Sequence, residues 1–259
     1  MSEEVRRHYA TSRNLAARGS LQAKYATVDW FGWLTDTMRL PADADILDVG
    51  CGPAWFWRNQ ADRVPPGLCL TMIDTSPGMI AEAKANLATT KRIDAAVADA
   101  IALPFADGSF DVVLLLHVLY HVGDPRKALT EARRVLRPRG RVFASTNTRD
   151  SLNELHVLGA RVFGGDAVDL GAALFSLDDA ESLLGDLFGH VRRYDLTDVM
   201  ACTDPDDAVA YLLSIPPGID APDAKCEELA RLVRQETERG GGVLRMVRRN
   251  GLVEGTKPS

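Results

Sequence analysis

Between residues 45 and 145 the apolar positions fall into short runs, and elsewhere into helical spacings. Runs at 45–49, 69–73, 95–98, 111–116 and 141–145 lack strict alternation, as strands buried on both faces do. Intervening stretches near 54–62, 77–87 and 125–136 predict helices. The last starts on Asp124 as N-cap with Pro125 at the first helical position, and stops at Pro138-Arg139-Gly140. Strands alternating with helices predict βαβ units and a parallel sheet. Past residue 147 the pattern changes to helices near 150–163, 177–187, 205–214 and 222–239. Two late strands, near 191–196 and 243–248, interrupt them. The Gly/Ala-rich stretch 164–175 reads as irregular and the closing GTKPS as mobile. The first 38 residues read as helical and end in an aromatic patch of Trp30, Phe31 and Trp33. No linker marks a second domain, so 1–259 is expected to form one.

Composition narrows the class. Of 259 residues, 46% are hydrophobic, enough for a sizeable core, and the net charge of −6 argues against nucleic acid as a partner. Arg133, Arg134, Arg137, Arg139 and Arg141 cluster at a helix end and strand start, where a solvated face aided by the helix dipole accounts for them. The opening MSEEVRRHYA has no apolar core of a secretory signal, and the longest apolar run, 112–116, is too short to span a membrane. Cys51, Cys69, Cys202 and Cys226 form no CxxC pair and have no histidine at ligand spacing, so no metal is expected. Reduced thiols in a cytoplasmic chain without a membrane partner are the expectation.

The chemistry begins at Asp48-Val49-Gly50-Cys51-Gly52. A glycine just after a strand permits φ > 0 and close approach of a ligand, and the following helix offers free N–H groups. The third glycine of a dinucleotide fingerprint is replaced by Trp55. Asp48 disfavours a pyrophosphate and suits a cationic ligand. Asp74 ends the next strand, where a carboxylate can accept from ribose hydroxyls. Asp99 ends the third, so an acid closes each of three successive apolar strands.

The stretches ILDVGCGPAW, TMIDTSPGMIAEAKANL, VADAIALPFADGSFDVVLLLHVLYHV and DPRKALTEARRVLRPRGRVFAST resemble the class I S-adenosylmethionine-dependent methyltransferases, in their small-molecule "type 11" branch. The resemblance implies an α/β, Rossmann-like doubly wound, mostly parallel seven-stranded sheet with helices on both faces. A cofactor-binding core would occupy 45–147, under an N-terminal helical cover at 1–40. Helical insertions or a substrate cap would follow strands 5 and 6, at 148–190 and 197–240. Where the family has a third glycine this chain has Ala54, which fits if that residue is already helical.

For S-adenosylmethionine, the resemblance implies that Asp48, Gly50, Cys51 and Gly52 line the methionine moiety. Asp74 would hold the ribose, with Thr75 and Met79 beside the adenine. Asp99 would accept from the adenine amino group, Ala100 would offer its N–H, and Leu116 and His117 would lie near the sulfonium. Arg18 is the candidate for the cofactor's carboxylate, because a guanidinium binds a carboxylate bidentately.

Methyl transfer to a hydroxyl or phenol calls for a base with pKa near 7. HVLYH supplies His117, Tyr120 and His121, the two histidines four apart and so on one face of a helical turn. Tyr25, Trp30, Phe31 and Trp33 offer a cover for an apolar acceptor. The expected protein is a small-molecule methyltransferase, acting on O, N or C, as a monomer or homodimer. The alternatives are a cofactor-binding enzyme of cyclase-like chemistry and a non-catalytic binding module.

Overall fold

The computed structural model describes residues 13–65, 67–87 and 93–259. Expectations that rest on residues 1–12 therefore lie outside the described residues. Two helices open the described chain, α1 (Arg13–Tyr25) and α2 (Trp30–Met38), separated by a turn where Asp29 caps α2 by accepting from Gly32 N at 3.0 Å. The order then runs β1 (Asp45–Val49), α3 (Trp55–Asn59), β2 (Cys69–Asp74), α4 (Pro77–Asn86), β3 (Ile93–Val97), β4 (Phe110–Leu116), α5 (Pro125–Val135) and β5 (Leu136–Asn147). Next come α6 (Asn153–Phe163), α7 (Leu170–Leu174), α8 (Leu177–Leu187), β6 (His190–Cys202), α9 (Pro205–Leu213), α10 (Asp223–Arg239) and β7 (Leu244–Thr256).

The strands form one seven-stranded sheet in the order β3-β2-β1-β4-β5-β7-β6. β1 to β5 pair in parallel, and β7 runs antiparallel between β5 and β6. The chain steps outward from β1 to β3 and then returns to the other side of β1 at β4. That reversal opens a crevice at the carboxyl ends of β1 and β4, where open α/β sheets bind ligands.

Two apolar layers sandwich the sheet. On one face Val113, Leu115 and Val142 pack with Leu129 of α5 and Leu184 of α8. On the other, Ile46, Leu114 and Phe143 pack with Leu34 and Met38 of α2 and with Trp57 of α3. A third cluster joins α1, α6, α9 and α10 around Leu21, Leu155, Leu212 and Leu229. α2 is thus core rather than detachable cover: Arg141 also donates to the carbonyls of Met38 and Arg39, at 2.9 and 3.1 Å.

Several sequence expectations need correction. The late strands are 13 residues each, not six, because β6 and β7 pair along their whole length as a ribbon that outruns the parallel strands. The stretch 197–202 is therefore strand, not insertion. β5 begins at Leu136, directly on α5, and the segment 164–175 contains the short helix α7. β3 is an edge strand with Asp94, Ala96 and Val97 exposed, so it is not buried on both faces. The tail is held: Lys257 N donates to Gly140 O at 2.9 Å and its Nζ to Leu136 O at 2.6 Å. The arginine cluster is a pairing network, with Arg137 bridging Asp45 and Asp111 and Arg134 binding Glu131 and Asp107. Among the described residues no helix is long and apolar enough to cross a membrane.

Candidate active site

The loop after β1 is built for close approach. Gly50 and Gly52 have φ of 72° and 53°. A Cβ on Gly50 would lie 2.2 Å from Val118, so glycine is required where the loops after β1 and β4 touch. A Cβ on Gly52 would meet nothing within 4 Å, which leaves space beside the loop. Gly50 N and Cys51 N both donate to Ile73 O, at 2.7 and 3.0 Å, tying the loop to the end of β2. Contrary to the reading that Ala54 is already helical, it precedes the helix. It sits in the left-handed region at φ 58° and caps α3, a conformation that costs a residue with a Cβ roughly 1–2 kcal/mol.

Asp48 is buried at 3% exposure and accepts from Trp57 Nε1 at 2.7 Å. Burial pushes its carboxyl up to about 7; the indole hydrogen bond opposes the shift and the nearby Asp74 charge adds to it. Asp74 accepts from Gly52 N at 3.1 Å and from Ser76 N at 2.8 Å, and burial likewise raises its pKa. It does not cap α4; Ser76 does, by accepting from Met79 N at 3.3 Å. Two carboxylates thus converge beside an open glycine loop. Cys51 lies between them, its thiol held protonated by burial first and by the two carboxylates after that.

The remaining β2–β3 candidates are dispersed along the same edge. Thr75 is exposed, Met79 is buried on the inner side of α4, and Ala100 is buried after β3. Asp99 follows β3 by two residues, is exposed, and accepts from Ile101 N at 3.2 Å.

β4 ends at Leu116, and His117 follows in the left-handed region at φ 54°, a conformation that needs support from its surroundings. Its N–H donates to Ser145 O at 3.0 Å and Oγ at 3.1 Å. The Trp30 ring stands edge-on to His117 at 5.5 Å and stacks on Trp33 at 5.2 Å. Burial lowers the His117 imidazole to about 4, with Asp169 pulling the other way and the Arg248 and Arg18 charges adding to the lowering. His121 is likewise lowered to about 4, by burial first and then by Arg18 and His117. The two histidines do not share a helical face. His117 precedes a 3-10 turn of only three residues, Leu119–His121, and Tyr120 lies between the rings, 6.3 Å from one and 4.4 Å from the other.

The aromatic patch divides. Trp30 and Trp33 reach the site, Phe31 packs on Phe56 in the core, and the Tyr25 hydroxyl donates to Asp207 at 2.7 Å. The 164–175 segment does approach the site, because a Cβ on Gly171 in α7 would lie 3.2 Å from the Tyr120 ring.

Sequence reasoning missed Trp57, Asn147, His156, Asp169, Arg248 and Asn250. Asp169 caps α7 and accepts from Asn147 Nδ2 at 3.2 Å, and His156 Nε2 stands 3.8 Å from it. The one available signal was polarity inside otherwise apolar segments, such as LRMVRRNGLV.

Residues 47–144 match the family described as "Methyltransferase domain". The chain is 40% identical over 136 residues to a malonyl-[acyl-carrier protein] O-methyltransferase of Hahella chejuensis, covering 52% of this chain and 48% of the relative. It is 32% identical over 145 residues to a demethylmenaquinone methyltransferase of Renibacterium salmoninarum, with 56% of each covered. The chain spans about half the length of the curated relatives it matches. A crystal structure of a putative methyltransferase from Bacillus halodurans superposes with a TM-score of 0.61 at 16% identity, over 89% of this chain and 99% of that one, which shows the shared fold.

Proposed function

We propose that this chain, whose residues 47–144 match the methyltransferase-domain family, transfers a methyl group from S-adenosylmethionine to a small-molecule acceptor held beneath α1 and α2. The observation that carries this is the pair Asp48 and Asp74 converging on the Gly50–Gly52 loop, whose free side offers room for a ligand. This donor set fits the cofactor, which brings an ammonium, a sulfonium and ribose hydroxyls to a site rich in carboxylate oxygen. When bound, the cofactor supplies an electrophilic methyl group.

The residues of the chain bind and orient. Asp48 faces the positive methionine end, with its second contact fixed by Trp57. Asp74 holds the ribose with the lone pairs left over from Gly52 N and Ser76 N, and Asp99 receives the adenine amino group. Thr75, Met79, Ala100 and Leu116 complete the cofactor wall, and Arg18 answers the cofactor's carboxylate. His117 accepts a hydrogen bond from the acceptor, while Tyr120 and His121 shape the wall behind it. Trp30, Trp33 and α7 exclude water, and positioning alone supplies roughly 7–11 kcal/mol towards such a displacement.

The direct test is transfer of a labelled methyl group, together with calorimetry of S-adenosylhomocysteine. Asp74→Ala is expected to weaken that binding by about 5- to 150-fold, the worth of a charge-assisted hydrogen bond lost from the ribose. Wild-type affinity in the variant refutes the ribose assignment.

Asp48 makes the affinity depend on pH. Its folded pKa of about 7 lies above its ordinary 3.8, so the empty chain binds the extra proton between those values. Without ligand, stability is therefore expected to fall as pH rises through that window. A cationic ligand favours the ionised carboxylate, so S-adenosylmethionine should bind up to about tenfold more tightly per pH unit approaching 7 and level off above it. Calorimetry near pH 6 in buffers of different ionisation enthalpy should register proton release. Binding that is flat in pH, with no proton released, overturns the assignment of Asp48.

A further inference from the structure

β7 carries two polar side chains where a buried strand would ordinarily be apolar. Arg248 and Asn250 are 2% and 4% exposed. Two residues apart, they lie on one face of the sheet with Leu252, and Leu252 packs in the layer that contains Leu34 and Met38 of α2. That face therefore looks toward the N-terminal helices. The register sets Asn250 beside Asn147 at the end of β5 and Ser145 beside Leu116, the residue before His117. The two side chains thus floor the same carboxyl edge as the candidate site, and the Arg248 charge is felt at His117.

Each carries an atom without a hydrogen-bond partner: Arg248 Nε, a donor, and Asn250 Oδ1, an acceptor. The other guanidinium nitrogens are engaged, Nη2 with Asp198 at 2.9 Å and Nη1 with Gln22 at 3.3 Å. A buried donor and a buried acceptor left open on one floor are a cost to folding unless something polar fills them.

We infer that Arg248 Nε and Asn250 Oδ1 recognise the methyl acceptor through an uncharged hydroxyl group, distinct from the group that hydrogen-bonds to His117; the inference rests on the methyl-transfer reading of this site. Nε–H requires a lone pair and Oδ1 requires a proton. A hydroxyl group provides both on one oxygen atom. A carboxylate or phosphate satisfies Arg248 alone and sets lone pairs against Oδ1, while Asp198 already offsets the guanidinium charge. An ether or ester brings no proton, and an alkyl amine, protonated at neutral pH, brings no lone pair. Trp30 beside His117, with Trp33 stacked on it, favours a ring on the same molecule.

The test uses the whole chain loaded with S-adenosylhomocysteine and titrated with phenol, anisole and benzoate, read by calorimetry. Phenol is expected to bind roughly tenfold or more tightly than the other two, since each of those leaves a buried group open. The preference should vanish in Asn250→Leu. It should also vanish in the paired variant Arg248→Met with Asp198→Leu, which leaves no buried charge behind and reads the floor even if Asn250→Leu does not fold. Anisole or benzoate matching phenol, absence of phenol binding, or a preference that survives in either folded variant overturns the inference. Failure of S-adenosylhomocysteine to bind the wild-type chain instead sinks the methyl-transfer reading, whereas cofactor product binding without a phenol preference removes only the acceptor assignment.

Discussion

Replacing His117 with alanine is expected to lower methyl-transfer turnover by roughly 10²-fold, with cofactor affinity nearly unchanged. The imidazole stands at the end of β4, held by two hydrogen bonds from its backbone N–H to Ser145 and faced by Trp30. Positioned proton transfer is worth roughly 10²–10⁴-fold, and the low end applies because a base of pKa about 4 is weak at neutral pH. The sequence alone suggests a rate that climbs through the ordinary histidine pKa of 6.5. Burial under α1, α2 and α7 moves that rise down to about pH 4, so from about pH 5 to 8 the group is already neutral and its contribution should be flat. A wild-type rate that climbs tenfold per pH unit through about 6.5, with transfer rate-limiting, contradicts this environment. Unchanged turnover in His117→Ala removes the residue from the chemistry. A variant that only raises KM marks His117 as a wall of the pocket.

The second large effect concerns stability. Asp198→Ala is expected to cost about 3–5 kcal/mol, because it strands the buried Arg248 cation. The pair is closed to water, with side chains 0% and 2% exposed and 2.9 Å between Asp198 Oδ2 and Arg248 Nη2. Asp198 Oδ1 also accepts from Thr27 N at 3.1 Å and Thr27 Oγ1 at 2.5 Å, and Arg248 donates to Gln22. The connection between α1 and α2 is therefore clamped to β6 and β7 by this carboxylate together with Arg248, which also donates to Val28 O at 3.5 Å. For a chain of this size such a loss lowers Tm by roughly 10 °C. Replacing both partners with apolar residues should recover much of the loss, since no charge is left unpaired. Denaturant unfolding measures both. Asp198→Ala within about 0.5 kcal/mol of wild type would show that water reaches Arg248 and that the clamp is not closed.

Local signals located most of the parallel half of the molecule. β1, β2 and β4 are apolar runs, and two of its helices open on Ser76-Pro77 and Asp124-Pro125, whose caps form as the residue types require. Gly50 and Gly52 were legible because positive φ leaves few residue choices, and Asp48 and Asp74 because an acid that ends an apolar strand is conspicuous. Ala54 in the left-handed region was not, since nothing in an alanine announces strain that its neighbours impose. The extent of β6 and β7 was also hidden, because an antiparallel ribbon takes its length from a partner about fifty residues away and not from its own pattern. Burial was decided at the same distance. Asp48, His117, Asn250 and Arg248 acquire their chemistry from what covers them: the Trp57 indole, Trp30, and α1 with the turn after it, held by Arg248 and Asp198. A sequence states which groups can ionise or donate. Only packing decides how far each is removed from water, and desolvation sets the pKa of Asp48, the neutrality of His117 and the open hydrogen bonds on β7.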